Sequence, residues 1–326
     1  MQLNSVIISR TDSIGDVVLT LPMAGVIKLQ FPQCKVYFLG RSYTRAIVNT
    51  SVFVDEFINA DDYPEADFLA HALNTTKADA IIHVFPDKKI VYAAKKAGIP
   101  IRIGTSHRLY NWLGCNRRVN FSRKNSNLHE GQLNLKLLQP IITVPAYTTA
   151  QLPAYYGMQR IQTLSKGMAD LIDKSRFNLI LHPLSNRSAR EWGLENFSTL
   201  ISLLPADKFK IFISGTATDG GTLTDFIATH AGSVTNITGQ MDLASFISFI
   251  NRADGLVAAS TGPLHIAAAL GKHAVGIYPP TRPIHPGRWA PLGTHAKVFV
   301  NSTDTNPTQH LQVCPHHVAD YLLSLV

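Results

Sequence analysis

Short apolar runs alternate along this chain with segments whose apolar residues recur every three or four positions. In the first half, residues 6–9, 35–39, 56–58, 80–84 and 101–103 read as buried strands. Residues 17–29, a segment from about Thr44, and 89–97 read as helices between them. The stretch 104–160 is less regular. Residues 111–127, rich in Arg and Asn, read as a loop and 130–138 as a helix, and Pro140, Pro145 and Pro153 break the chain beyond it. A linker is expected near 150–175, with a helix over 158–174 at the junction.

The alternation restarts with strands expected at 178–182, 210–214, 255–259 and 274–278. Helices are expected at 198–204, 222–231, 241–251 and 263–270. Two such runs predict an α/β protein of two Rossmann-like doubly wound domains, 1–160 and 161–310, facing a central cleft. The tail, 311–326, holds a short amphipathic segment with no strand after it. It is expected to cross back to the first domain as a helix.

Composition sharpens this picture. A length of 326 residues suits two domains, and 45% hydrophobic against 16% charged residues excludes a disordered chain. No apolar stretch approaches the roughly 18 residues of a membrane span. The five-residue apolar-leaning run at 5–9 is too short for a signal peptide. Cys34, Cys115 and Cys314 are scattered and odd in number, which predicts free thiols and a reducing cytoplasm.

The net charge of +8 is uneven. Residues 1–160 hold 18 Lys and Arg against 11 Asp and Glu, and 161–326 hold 12 against 11. From Lys88 to Lys124 there are ten basic residues and no acidic one. Such clustering suits either a solvated face or an anionic partner, whether nucleic acid, lipid headgroup or phosphorylated substrate.

Three loops carry candidate chemistry. Arg10, Asp12, Ser13, Gly15 and Asp16 follow the first strand, where open α/β sheets bind ligands. Asp16 reads as a catalytic carboxylate or as a helix-capping acid. Ser185, Asn186, Arg187, Ser188 and Arg190 follow the strand ending at His182 and supply donors suited to phosphate, or else form an ordinary polar loop anchored by Trp192. Ser260, Thr261, Gly262 and Pro263 open an apolar helix whose amino end suits a diphosphate. His265 in its first turn reads as a further donor or as a core residue. No G-x-G-x-x-G fingerprint or Walker loop occurs, which weighs against a dinucleotide oxidoreductase or a P-loop enzyme.

Together these segments resemble the ADP-heptose:lipopolysaccharide heptosyltransferases, inverting glycosyltransferases of the GT-B fold. The likeness rests on Arg10, Gly15, Asp16 and Pro22, on Arg190 before Trp192, on Gly262 to Ala269, and on His129-Glu130 before an apolar helix. It implies an acceptor-binding first domain and a donor-binding second one. Asp16 would be the general base. Ser185, Asn186, Arg187, Arg190, Met241, Ser260, Thr261, Gly262, Pro263 and His265 would hold the nucleotide-sugar, with Met241 lining the adenine pocket.

Arg10, Ser13, Lys88, Arg117, Arg118 and His129 would meet an anionic glycolipid acceptor. No metal and no cofactor beyond the donor is expected, and no nucleic acid. Peripheral contact with the inner membrane is expected of a cytoplasmic enzyme of this kind. Departures from the family pattern are Ser260 in place of an acid, Arg190 in place of Lys, and Thr216 to Thr218 ahead of Asp219. They leave open another nucleotide-sugar and another anionic glycan acceptor. A nucleic-acid-binding protein is the rival from a different class, carried only by the basic segment.

Overall fold

The computed structural model describes residues 2–143, 145–301 and 310–326. The chain divides into two compact units, Met1–Arg160 and Ile161–Val326. Twelve strands form in the described residues. β1 (Ser5–Ser9), β2 (Lys35–Gly40), β3 (Glu56–Asn59), β4 (Ala80–His83), β5 (Ile101–Thr105) and β6 (Arg117–Val119) belong to the first unit. β7 (Phe177–His182), β8 (Phe209–Ile213), β9 (Val234–Asn236), β10 (Gly255–Ala259), β11 (His273–Tyr278) and β12 (Ala296–Val300) belong to the second.

Each sheet is parallel throughout. The order is β3-β2-β1-β4-β5-β6 in the first unit and β12-β11-β10-β7-β8-β9 in the second. Counted within each unit, the first reads 3-2-1-4-5-6 and the second is the same kind of doubly wound sheet, with its first strand, β7, at the centre. In both, the strand order reverses beside the first strand, which is where such sheets bind ligands. Central strands covered on both faces need continuous apolar runs, and Val6, Ile7 and Ile8 in β1 and Leu179, Ile180 and Leu181 in β7 are wholly buried.

Several expected elements differ, each for a local reason. The helix expected over 17–29 is two helices, Ile14–Val18 and Pro22–Gln30, because Pro22 has no N–H to continue the first and instead opens the second. The loop expected over 111–127 contains the end of helix Leu109–Gly114 and the edge strand β6. The long helix expected over 158–174 is absent. Gly157 at φ 61° turns the chain, Met158 bridges back to Ser51, and only Lys166–Ala169 is helical.

Expected helix 222–231 is a pair of short ones, Ala217–Thr222 and Thr224–Thr229. Helix Ala66–Thr75 and strands β9 and β12 are not among the elements the apolar pattern predicts. The closing helix, Pro315–Leu323, packs within the second unit. Val318, Ala319 and Leu322 enter the second unit's core beside Phe197 and Leu200, and Trp192 Nε1 donates to Val313 O at 2.8 Å. Burying those side chains at about 1.5–3 kcal/mol for each large one fixes the helix there.

Candidate active site

In the first unit the chain leaves β1 at Ser9 and enters helix Ile14–Val18 through the Arg10–Ser13 turn. Asp16 is the third residue of that helix, so it is not the N-cap. Ser13 holds the cap position but makes no capping bond through its side chain; its hydroxyl donates to one Asp16 oxygen. The other Asp16 oxygen accepts from Arg10. A carboxylate in the first helical turn is also favoured by the helix dipole. The Asp16 side chain keeps 17% of its surface exposed.

Arg10 is the hub of this site and only 4% of its side chain is exposed. Its guanidinium spans Asp12 at 2.6 and 2.9 Å, Glu130 at 3.3 Å and Asn134 at 3.3 Å besides Asp16. Burial alone would lower its proton affinity, but Asp16, Asp12 and Glu130 outweigh burial and raise it above the ordinary arginine value. Burial raises the Asp12 carboxyl above the usual carboxylate range, against the pull of Arg10.

Glu130, 1% exposed, also takes Arg123, whose guanidinium reaches Asn134 at 2.9 Å and Val84 O at 3.2 Å. Asn134 in turn donates to Leu19 O at 3.0 Å and Thr20 Oγ1 at 3.2 Å, and Thr20 donates to Asp16 O at 2.8 Å. The network therefore closes on the Asp16 helix from both sides.

The residues expected to meet an acceptor are placed in different ways. Arg10 turns inward onto carboxylates. His129 is 2% exposed and caps helix Glu130–Lys136, its Nδ1 accepting from Gly131 N at 3.1 Å while Gln132 bonds the His129 amide. Ser13 is exposed but spends its hydroxyl on Asp16. Lys88, Arg117 and Arg118 are exposed, and none of the three belongs to the network around Asp16. Asn134 and Arg123 are neighbours in the network around Asp16 that sequence reasoning missed, and Glu130 was noted only beside His129, without a role. The available signal was two polar residues four apart, Glu130 and Asn134, on the face of the helix that also carries Leu133.

In the second unit the equivalent position follows β7. Ser185 is 6% exposed, with its amide and hydroxyl on Glu191 Oε1 at 2.6 and 2.9 Å and its hydroxyl also reaching Ala189 O at 2.7 Å. It braces the loop from inside. Asn186 and Arg187 are exposed and both take positive φ, 47° and 63°. Two consecutive side-chain-bearing residues there cost about 1–3 kcal/mol each, a strain that clusters at ligand-binding turns. Arg190 is half-buried behind them. His182, closing β7, bonds Ser214 Oγ at 3.0 Å, and burial pushes its imidazole down to about 4.

The third loop leaves β10. Thr261 is the N-cap residue of helix Gly262–Ala269, yet it makes no capping bond. Its Oγ1 is buried and has no hydrogen-bond partner among the described residues. Leaving a buried hydroxyl unpaired costs about 1–3 kcal/mol, so the position asks for an occupant. Pro263 fills an early position where no N–H is needed, and the helix amino end points free N–H groups the same way. His265 is 3% exposed, in the packed interior rather than at the surface. Ser260 is half-buried.

Met241 lies before its helix rather than opening it. The helix is Leu243–Arg252, capped by Asp242, which accepts from Ser245 N at 2.8 Å. Gly239 at φ 66° lets the preceding turn approach Ala217, where a Cβ would come within 2.8 Å of its Cα. Among the described residues no group of three or more His, Cys, Asp or Glu is placed to hold a metal ion.

Two parallel doubly wound sheets, each with polar loops at the carboxyl ends of its central strands, define a GT-B-type α/β protein built for ligands held at strand ends. Residues 68–317 match the family model of glycosyltransferase family 9 (heptosyltransferase), and the chain belongs to that family and is a glycosyltransferase. A putative glycosyltransferase of Haemophilus influenzae is 24% identical over 96% of this chain and 90% of its own length. A glycosyl transferase family 9 structure from Veillonella parvula superposes with TM-score 0.81 at 16% identity, over 99% of this chain and 97% of that one. The E. coli ADP-heptose LPS heptosyltransferase II superposes with TM-score 0.76 at 18% identity, over 100% and 98%.

Proposed function

We propose that this glycosyltransferase moves a heptose from ADP-heptose to the inner core of lipopolysaccharide, with inversion and without a metal. The observation that carries the donor half is the buried Thr261 hydroxyl, without a partner among the described residues, at the amino end of an eight-residue helix. An anion there would satisfy the hydroxyl, the helix N–H groups and the dipole together. Arg190 and the strained Asn186-Arg187 turn, from the neighbouring strand β7, would add donors to the diphosphate. The Gly239–Met241 turn, packed on Ala217, would take the base.

Asp16 would accept the proton of the attacking hydroxyl. Arg10 and Ser13 hold its two oxygens in one orientation, and a base held in place needs no reorganisation in the transition state. The leaving diphosphate gathers charge, which the helix amino end and Arg190 would offset. The acceptor would be an anionic glycolipid, and the reaction cytoplasmic, in keeping with free cysteines at Cys34, Cys115 and Cys314.

A second donor stays open for one specific reason. Asp219, the first acid after Gly215, is committed to a capping box with Thr216, its Oδ2 accepting from Thr216 N at 2.8 Å. One of its oxygens is therefore already taken before any ribose could be met. The test is turnover with ADP-heptose beside a panel of other nucleotide-sugars, in wild type and Asp16→Asn. Turnover with ADP-heptose should lead the panel, and Asp16→Asn should cut it at least about a hundredfold with melting and donor binding retained. Preference for another donor would overturn the sugar assignment, and normal turnover by Asp16→Asn would overturn the base.

A further inference from the structure

The basic segment carries an apolar face that the reaction does not use. Helix Leu109–Gly114 presents Leu109, Trp112 and Leu113 outward, 79%, 56% and 57% exposed. Monomer surfaces rarely gather three large apolar side chains on one short helix without a partner. The helix itself is firmly held. Lys95 Nζ donates to Leu113 O at 3.0 Å, Arg102 Nε to Gly114 O at 2.6 Å, and Tyr110 Oη to Pro86 O at 2.9 Å. Tyr110 thereby ties it to the turn holding Phe85, which is itself 39% exposed.

Trp112 has spent its indole N–H on Ser106 O at 2.8 Å, and the Arg118 guanidinium stacks 4.3 Å from its ring. Around these side chains stand Lys95, Arg108, Arg117 and Arg118, all exposed, within a segment that holds no acid.

We infer that this helix is the surface by which the protein docks onto an anionic lipid bilayer. Two leucines and a tryptophan in a ring of arginine and lysine match the headgroup boundary, where aromatic rings sit and basic side chains pair with phosphates. A second copy of the chain would bring like charges together. Nucleic acid would stack on Trp112 but leaves Leu109 and Leu113 with nothing to bury. The inference fits the proposed lipid-borne acceptor and is tested without it.

The experiment is co-sedimentation of the full chain with acceptor-free vesicles, either pure phosphatidylcholine or with one third phosphatidylglycerol. Wild type should bind the anionic vesicles and lose roughly tenfold in partition between low and physiological salt, since screening falls to about 8 Å. The triple variant Leu109→Ser, Trp112→Ser, Leu113→Ser should bind at least about tenfold more weakly, and the single variant Leu113→Glu should follow it. All three side chains are exposed, so unchanged melting checks the fold. Equal binding of wild type and variants, equal binding to neutral vesicles, or loss of single-stranded RNA binding with vesicle binding intact would each overturn the inference. Failure of ADP-heptose turnover would leave it standing.

Discussion

The two units share a doubly wound sheet but treat their polar loops in opposite ways. In the first, every oxygen of Asp16 and Asp12 is already engaged, and two arginines and three carboxylates are bound into a network with Asn134. In the second, the loops after β7 and β10 carry a buried hydroxyl without a partner among the described residues and a pair of strained residues. The carboxylates around Asp16 are engaged before any ligand arrives, although Ser9 Oγ and the His83 ring beside them stay unpaired among the described residues; on the proposed function, the Thr261 turn is completed by a ligand. On the proposed function this suits a general base, which must be oriented in advance, and an anion site, whose binding energy comes from groups left wanting.

The sharpest way to break the comparison is to open the first network. Glu130→Ala would leave Arg10 and Arg123 facing an empty buried position. Removing one partner of a buried ion pair costs about 3–5 kcal/mol. Denaturant unfolding should show that loss as a lower midpoint with the slope unchanged. A change under about 1 kcal/mol would mean the network behaves like exposed surface pairs and does not hold Asp16.

A smaller effect separates the units by pH. His83 closes β4, is 1% exposed, and finds no hydrogen-bond partner for either ring nitrogen among the described residues. Burial, helped by the Arg102 charge, pushes it down to about 3, as burial pushes His182 down to about 4. Both folded values lie below the unfolded value of about 6.5. As pH falls below 6.5 the unfolded chain takes up protons that the folded one refuses, so stability drops until the folded values are reached.

Each histidine should cost about 2 kcal/mol between pH 7.5 and pH 5. His83→Leu should remove its share of that slope without loss at pH 7.5. His182→Leu should remove its share but lose about 1 kcal/mol at pH 7.5, because it gives up the bond to Ser214. Identical neutral-pH behaviour of the two variants would erase the distinction.

Much of the fold was legible because strands buried on both faces announce themselves as short apolar runs, and the loops after them are where doubly wound sheets bind. That placement singles out Asp16, Arg190 and Thr261, and the family resemblance adds their roles. The features that stayed hidden have identifiable causes. Helix Leu109–Gly114 turns its apolar residues to the surface, so its pattern gives no core-facing stripe to recognise. The Arg10–Glu130 pair spans 120 positions, and spacing within one sequence holds no record of such pairings. Arg10 and His129 resemble surface ligands in the sequence because an arginine or histidine in a loop looks the same whether it faces a ligand, a carboxylate or a helix end.

The finest probe of the contrast is Thr261→Val. The swap keeps the branched shape and removes only the hydroxyl. At most sites that strands a partner and destabilises. Here the hydroxyl has no partner among the described residues and caps nothing, so the ligand-free protein should melt at the wild-type temperature or slightly above. The cost should appear only on binding. If the proposed diphosphate is what completes this site, calorimetry should show ADP affinity falling about tenfold, or about 1.4 kcal/mol, the low end for a hydrogen bond to a charged group. The same substitution at a finished site would do the reverse, lowering stability and sparing binding. A Thr261→Val protein that melts lower yet binds ADP normally would place Thr261 with the first unit's kind of polar group, and the donor site would have to be rebuilt around Arg190 alone.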